Sequence, residues 1–167
     1  MLEQLAQIAG APYTNISTET GVLRMLAAMI LGGMIGFERE THSKEAGLRT
    51  HILISLAACL FTLVAFDLVL LPAPGEADLH VDPLRLVEAV TTGVAFLAAG
   101  TIITRGTQVR GLTTGAGMWM AGAIGLACGI GNLRLAGLAT MIALLVLWVM
   151  RVISRAVGDD GESAKSD

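Results

Sequence analysis

The chain has 167 residues, of which 54% are hydrophobic and 15% are charged, and its formal net charge is −3. Charged residues make up about 25% of a typical soluble domain, so this composition excludes an ordinary soluble protein and predicts one domain surrounded by a lipid bilayer. The small net charge, with no basic patch interleaved with aromatic residues, also excludes nucleic acid as a partner.

Long apolar runs separated by short polar clusters predict an all-α membrane protein, a compact bundle of five transmembrane helices with short loops. We place the spans at about residues 21–37, 48–71, 84–103, 112–130 and 133–150. They form a membrane domain of residues 17–151, between a short lead (1–16) and a polar tail (152–167). Arg24, near the outer end of the first span, is expected to snorkel to the lipid headgroups.

The distribution of lysine and arginine beside the spans predicts the orientation of the bundle. One side of the predicted membrane domain carries most of these residues: Arg39, Lys44, Arg49, Arg105, Arg110, Arg151, Arg155 and Lys165. The other side carries Arg24, Arg85 and Arg134. Because cytoplasmic loops are enriched in cations, the N-terminus is predicted outside and the C-terminus, with its polar tail, in the cytoplasm.

A dense group of ionisable residues connects the first two spans. It comprises Glu38, Arg39 and Glu40, followed by Lys44, Arg49, Thr50 and His51. Ionisable groups at membrane depth are costly unless they are paired, so the group is a candidate ion-pair clamp between spans 1 and 2. Two interpretations stay open, a solvated loop whose charges set the topology and a polar vestibule or docking site for a membrane partner.

A second charged cluster lies at the outer end of the third span. Asp82, Arg85 and Glu88 follow a spacing of i, i+3 and i+6, which places them near one face of a helix. The arginine can pair with either acid in an internal salt bridge. Alternatively, Asp82 and Glu88 hold a hydrated Mg²⁺, which needs few protein oxygens. Mg²⁺ is the only candidate cofactor that the sequence offers.

The start of the fourth span combines a cation with hydroxyl groups. Arg110, Thr113 and Thr114 surround the predicted first turn of this helix. The threonines are expected to cap the helix; the alternative is an anion or headgroup-phosphate site at the helix start. Trp119, well inside the span, is predicted to be a packing residue.

Glycine is abundant, with 20 residues in the chain. In lipid, small residues allow helices to approach closely, so the glycines of spans 1, 3 and 4 are predicted to pack helices, either within one chain or between subunits. Five short spans leave little interior for a pathway through a monomer, which favours a homo-oligomer. The candidate packing glycines are Gly32, Gly36, Gly93, Gly100, Gly111, Gly115, Gly122, Gly125 and Gly129.

No catalytic motif accompanies these clusters. The sequence has no nucleophile elbow, no zinc-protease helix and no phosphate-binding loop, so we predict that the protein is not an enzyme. Cys59 and Cys128 both lie within apolar runs and are interpreted as buried small hydrophobic residues.

Three stretches of the chain resemble the N-terminal transmembrane domain of the MgtC/SapB family over about residues 23–150. They are GGMIGFERETHSKEAGLRTHILISL, DPLRLVEAVTTGVAFLAAGTII and VRGLTTGAGMWMAGAIGLACGIG. The chain departs from the family pattern at Ala98, where glycine is usual, and at Glu88, where a neutral polar residue is usual.

The resemblance implies a location in the bacterial inner membrane. It also implies a regulatory or accessory role in adaptation to magnesium limitation, acid stress or a host, exerted through a membrane-protein partner. The alternative is an oligomeric transporter or channel for Mg²⁺ or another cation.

Overall fold

The computed structural model describes residues 16–42, 44–69, 82–105 and 107–162. These residues form five helices and one short hairpin. The helices are α1 (Thr18–Glu40), α2 (Leu48–Val69), α3 (Pro83–Gly100), α4 (Leu112–Ile130) and α5 (Leu133–Glu162), and the hairpin strands are β1 (Ile103–Arg105) and β2 (Gln108–Arg110). All five helices are long and apolar enough to cross a membrane. The predicted all-α class with five spanning helices is therefore confirmed, and the expected lead up to residue 15 and the tail beyond residue 162 lie outside the described residues.

The helices differ from the predicted spans mainly at their ends. The Ser17 hydroxyl accepts a hydrogen bond from the Thr20 backbone N–H, so α1 begins at Thr18. This helix continues to Glu40, which places the first acidic and basic residues of the predicted connection on its last turn. At the other end of the chain, α5 continues to Glu162 without an intervening proline, so residues 152–162 of the predicted tail are helical.

The hairpin between α3 and α4 was not expected from the sequence. The third helix ends at Gly100 rather than near residue 103, and the Thr101 N–H closes its last turn on the Ala98 carbonyl at 3.0 Å. The strands then pair antiparallel, with Ile103 opposite Arg110. The next residue, Gly111, has a φ of +87°, and a Cβ there would overlap the Thr101 carbonyl. Gly111 therefore forms the turn into α4 and is not the helix-packing residue that we predicted.

The core of the bundle is the contact among α1, α2 and α4, where four glycines bring the backbones together. A Cβ at Gly32 would lie 2.5 Å from the Ser55 Cβ, and one at Gly36 would lie 2.8 Å from the Leu48 Cα. From α4, a Cβ at Gly129 would lie 2.5 Å from the Thr62 Cβ, and one at Gly125 would overlap the Ser55 carbonyl. The centre of this three-helix core is therefore filled by the helices themselves.

The remaining two helices pack on the outside of this core. Val90, Val94 and Ala98 are the buried residues of α3, and the Ala98 Cβ would lie 3.3 Å from a Cβ at Gly115 of α4. Between α2 and α3 lies an apolar groove of about 780 Å³. Gly93 and Gly100 are exposed, and a Cβ at either would meet nothing within 4 Å. The prediction that these two glycines pack helices within the chain is therefore wrong.

Replacing Gly125 by alanine tests the filled core. The new methyl group would overlap the Ser55 carbonyl, and since backbone atoms cannot rotate away, we expect a loss of about 1 to 3 kcal/mol in stability. Thermal unfolding in detergent, followed by the fraction of monodisperse protein, measures this loss. Gly137→Ala is the matched control, because a Cβ at Gly137 meets nothing within 4 Å. Equal melting temperatures for the two variants would contradict the packing described above.

Candidate functional site

The most concentrated group of buried charges lies where the last turn of α1 packs beside Arg151 of α5. The Glu38 carboxylate forms ion pairs with Arg39 of its own helix and with Arg151 of α5. Only 14% of the Glu38 side chain and 5% of the Arg39 side chain are exposed. His42 lies one turn further, with its Nδ1 2.7 Å from the Glu38 carbonyl oxygen. We call Glu38, Arg39, His42 and Arg151 the Glu38 cluster, and it joins the first and last helices of the bundle.

Beneath the Glu38 cluster, His51 of α2 is completely buried. Its Nδ1 lies 2.8 Å from the Gly47 carbonyl oxygen, which can only accept, so this nitrogen is the protonated one and donates. The Nε2 atom then carries a lone pair, and no described residue forms a hydrogen bond with it. It faces Gly117 of α4, where a Cβ would lie 3.0 Å away. The imidazole therefore occupies space that only a glycine on the facing helix leaves free.

A second polar contact crosses from the α1–α2 connection to the start of α4. The Thr114 hydroxyl is buried and donates to a Glu45 carboxylate oxygen at 3.0 Å. The backbone N–H of Glu45, followed by this hydroxyl, holds the pKa of the Glu45 carboxyl below its ordinary value. The predicted helix cap is wrong for Thr114, because α4 begins at Leu112, and its N-cap residue, Gly111, has no side chain to cap it. Thr113 and Arg110 are exposed beside it.

The predicted ion-pair clamp between α1 and α2 has a different form in the structure. The Glu40 carboxylate accepts a hydrogen bond from the Leu48 backbone N–H at 2.9 Å and so caps the first turn of α2. Across residues 16–42 and 44–69, no ion pair joins the two helices. Lys44 and Arg49 are exposed, and Thr50 is half-buried. The clamp of opposite charges joins α1 to α5 instead, because Arg151 reaches the Glu38 carboxylate.

At the opposite end of the bundle, Arg24 contacts protein and not only headgroups. Its guanidinium donates to the Gly129 carbonyl oxygen at 2.8 Å, in the last turn of α4, and lies against Gly131. The last carbonyls of a helix carry partial negative charge and lack intrahelical partners. Arg24 therefore caps α4 from α1, a role that the predicted snorkelling did not include.

The outer cluster of α3 does not form the arrangement that we predicted. Asp82 is the N-cap residue of α3, and its carboxylate accepts from the Leu84 N–H at 2.9 Å. Arg85 and Glu88 are exposed, and neither forms an ion pair with another described residue. Within the described ranges, no group of three or more potential metal ligands comes together. A hydrated Mg²⁺ held by only the two carboxylates of Asp82 and Glu88 stays a prediction.

Trp119 lies on the outer surface of α4. Its side chain is 52% exposed, so it faces the surroundings of the bundle and does not pack in the core as predicted. Leu112, two turns earlier on the same face of the helix, is also exposed. The lipid-facing side of α4 therefore includes an aromatic residue near the middle of the span.

A comparison with known protein families matches the MgtC family model to residues 25–156. The chain therefore belongs to the MgtC family.

Curated members of the MgtC family are 34% to 39% identical to this chain over the aligned residues. It is 39% identical over 139 residues to the Escherichia coli protein named "Putative magnesium transporter YhiD", covering 80% of this chain and 61% of that protein. It is 34% identical over 146 residues to the Salmonella typhi "Protein MgtC", covering 87% of this chain and 59% of that protein. The chain thus spans about three fifths of the relatives that it matches. No solved structure matches it.

The matched MgtC region includes every residue of the Glu38 cluster. Glu38 and Arg39 are adjacent in sequence and were predicted from the charge pattern, whereas His42 was not among the predicted site residues. Arg151 was not linked to them, because its position depends on how α5 packs against α1. His51 was treated as a loop residue, although its place one turn inside an apolar helix was a signal of burial.

A double-mutant cycle between Glu38 and Arg151 tests the ion pair. Glu38→Gln leaves the buried Arg39 without its counter-charge, so we expect a loss of about 3 to 5 kcal/mol in stability. Arg151→Gln is expected to cost less, because Arg151 is more exposed, and the pair should show a coupling energy of about 0.5 to 3 kcal/mol. Arg49→Gln, at an exposed arginine, is the control and should leave stability unchanged. Strict additivity of Glu38→Gln and Arg151→Gln would exclude the contact.

The Glu45–Thr114 contact predicts a pH-dependent stability. A carboxyl whose pKa is lowered by folding stabilises the protein above its unfolded pKa, and this contribution disappears as the pH falls through the folded pKa. Thr114→Val removes one donor, so the pKa of Glu45 should rise in a carboxyl-carbon NMR titration. The difference in melting temperature between wild type and Thr114→Val should then be larger near pH 7 than near pH 3. Thr113→Val is the matched control, and a pH-independent difference for Thr114→Val would contradict the contact.

Proposed function

We propose that this MgtC-family chain is an accessory or regulatory protein of the bacterial inner membrane. In this proposal it acts in adaptation to magnesium limitation, acid stress or growth in a host, and it does so by contacting other membrane proteins. Its N-terminus faces the periplasm and its C-terminus the cytoplasm, so that the Glu38 cluster lies on the cytoplasmic side. The cation distribution in the sequence supports this orientation.

The filled three-helix core is the observation that carries the proposal. A conducting path between α1, α2 and α4 needs space, whereas Gly32, Gly125 and Gly129 bring these helices so close that a single methyl group does not fit. Protein interiors packed to this density separate only by discrete rearrangements. A protein that acts through its surfaces is therefore the simpler function for this geometry.

The surface around the Glu38 cluster is the proposed docking face. Within the cluster, the Glu38 carboxylate offsets Arg39 and Arg151, so these charges stabilise the bundle. The neighbouring side chains of Lys44 and Arg49 are exposed. A partner with acidic residues at the cytoplasmic membrane surface would find complementary charge there without disturbing the buried ion pairs.

A second candidate function is cation transport by an oligomer. The name of the Escherichia coli relative, a putative magnesium transporter, favours it, as do the exposed carboxylates of Glu40 and Glu88 at opposite ends of the bundle. In this case the path would lie between subunits and not within one three-helix core. Mg²⁺ would then be the transported ion and not a bound cofactor.

Liposomes that contain a Mg²⁺-sensitive dye separate the two candidates. With purified, monodisperse protein in the vesicles, we expect Mg²⁺ entry no faster than in protein-free vesicles, because the core is closed. A Mg²⁺ ionophore added at the end checks that the dye responds. Mg²⁺ entry that rises with the amount of protein would support the transporter and overturn the accessory role.

Affinity isolation from native membranes tests the docking face. We expect one membrane protein to copurify with the wild-type chain and to be lost when Lys44 and Arg49 are both replaced by glutamate. Arg134→Glu, at an exposed arginine of the opposite end, is the matched control and should retain the partner. Recovery of the same partner by the Lys44→Glu/Arg49→Glu variant would place the contact elsewhere.

A further inference from the structure

One face of α3 is unusual because it combines exposure with charge inside an apolar span. The buried residues Val90, Val94 and Ala98 face the bundle. Opposite them is a face whose members are all exposed, and the side chain of Phe96 is 80% exposed. We call this surface the α3 outer face; its residues are Arg85, Glu88, Thr92, Phe96 and Ala99.

Glu88 lies several residues inside α3, where exposing an unpaired carboxylate to the hydrocarbon layer is energetically unfavourable. A helix rises about 1.5 Å per residue, so Glu88 lies about 7.5 Å along α3 from Pro83. The helix has 18 residues and therefore a length of about 27 Å, slightly less than the roughly 30 Å of a hydrocarbon core. Because α3 is only just long enough to span the hydrocarbon core, it cannot shift far along the membrane normal towards either headgroup layer. The Glu88 carboxylate consequently lies inside the apolar layer, where an ionisable group requires a partner.

Arg24 lies at a similar depth in the membrane, and its charge has a hydrogen-bond partner. It lies six residues along α1 from Thr18, at the same end of the bundle as Glu88, and it donates to the Gly129 carbonyl at 2.8 Å. Glu88 forms no such contact with the residues that the structure describes. Among residues 16–42, 44–69, 82–105 and 107–162, no cation lies within salt-bridge distance of it. Arg85, one turn away on the same face, also has no counter-charge within these ranges.

We propose that the α3 outer face is a contact surface for a second copy of this chain, in which Arg85 of each copy pairs with Glu88 of the other. A two-fold axis parallel to the membrane normal brings the same face of two parallel α3 helices together. The Cα atoms of Arg85 and Glu88 differ in height by about 4.5 Å, a distance that the long arginine side chain covers. The two-fold symmetry then forms this ion pair twice.

The small residues of α3 allow the two helices to approach closely. Ala99 lies on the outer face, and Gly93 and Gly100 lie beside it with nothing within 4 Å of their Cβ positions. Helix contacts in lipid depend on such small residues, because no hydrophobic effect drives the association. The α3 helix of the second copy would then be accommodated against these positions, and Phe96 would pack across the axis.

The charge pattern favours a second copy over a lipid headgroup. A lipid phosphate would neutralise Arg85 but would repel Glu88 at the same site. A cation and an anion separated by one turn on one face form a self-complementary pattern, which a two-fold contact requires. The inference does not depend on the accessory or transport role, since a dimer is compatible with both.

Mixing two charge variants tests the contact between copies. A chain with Arg85→Glu is acidic at both positions, and a chain with Glu88→Arg is basic at both. Each chain also carries Thr92→Cys as a crosslinking site and one of two different tags. The native Cys59 and Cys128 are both buried, with 0% exposure, and should contribute no crosslink. Crosslinking is induced in isolated membranes with copper phenanthroline.

We expect chains with Thr92→Cys alone to form a crosslinked dimer. Either charge variant expressed alone should lose roughly three- to twenty-fold of the crosslinked fraction, the range that polar contacts between membrane helices give. Coexpression of the two variants should restore the heterodimer, because only contact between copies makes the charges complementary again. A crosslinking site on the outside of α5, Met141→Cys, is the matched control and should give no dimer.

Three results would overturn the proposal. They are the absence of a crosslink from Thr92→Cys alone, equal crosslinking from Met141→Cys, and no recovery in the mixture although both tagged chains are present. Chromatography in detergent checks that each variant is monodisperse. If a charge reversal prevents folding, Arg85→Gln and Glu88→Gln replace it, and each must then lower the crosslinked fraction for the contact to stand.

Discussion

The close approach of α1, α2 and α4 is the constraint on which the rest of the bundle depends. At Gly32 the helices are so close that a Cβ would overlap the Ser55 side chain, and at Gly125 a Cβ would overlap the Ser55 carbonyl. This contact fixes the distance between the helices and therefore the positions of the side chains at their ends. The Glu38 cluster, the buried His51 and the Arg24 cap all follow from it.

The need to pair buried polar groups then determines which side chains join the helices at the two ends of the bundle. In lipid, a charge that loses water must gain a counter-charge or a hydrogen bond. Arg39 and Arg151 gain the Glu38 carboxylate, and Arg24 gains a carbonyl of α4. Arg85 and Glu88 are the contrast, because their side chains point away from the part of the bundle that the structure describes. The requirement that a charge in lipid has a partner is therefore the basis for the proposed contact between copies.

The sequence predicted those features that depend on local pattern. The number of helices and the approximate position of each span follow from the length of the apolar runs. The role of individual polar residues was harder to predict, because Arg151 reaches Glu38 and Thr114 reaches Glu45 only through tertiary packing. Gly93 and Gly111 illustrate the same limit. Glycine content indicates close contacts, but only the backbone shows that Gly111 forms a left-handed turn and that Gly93 faces outward.

The central claim is that the three-helix core is closed to water, and the native cysteines test it directly. Cys59 of α2 and Cys128 of α4 are completely buried within this core. In intact membranes at neutral pH, both should resist a water-soluble maleimide over a time in which an exposed cysteine at position 49 is fully labelled. After denaturation in detergent, both should react. Rapid labelling of Cys59 or Cys128 in the native membrane would show an aqueous path through the core and would contradict this account.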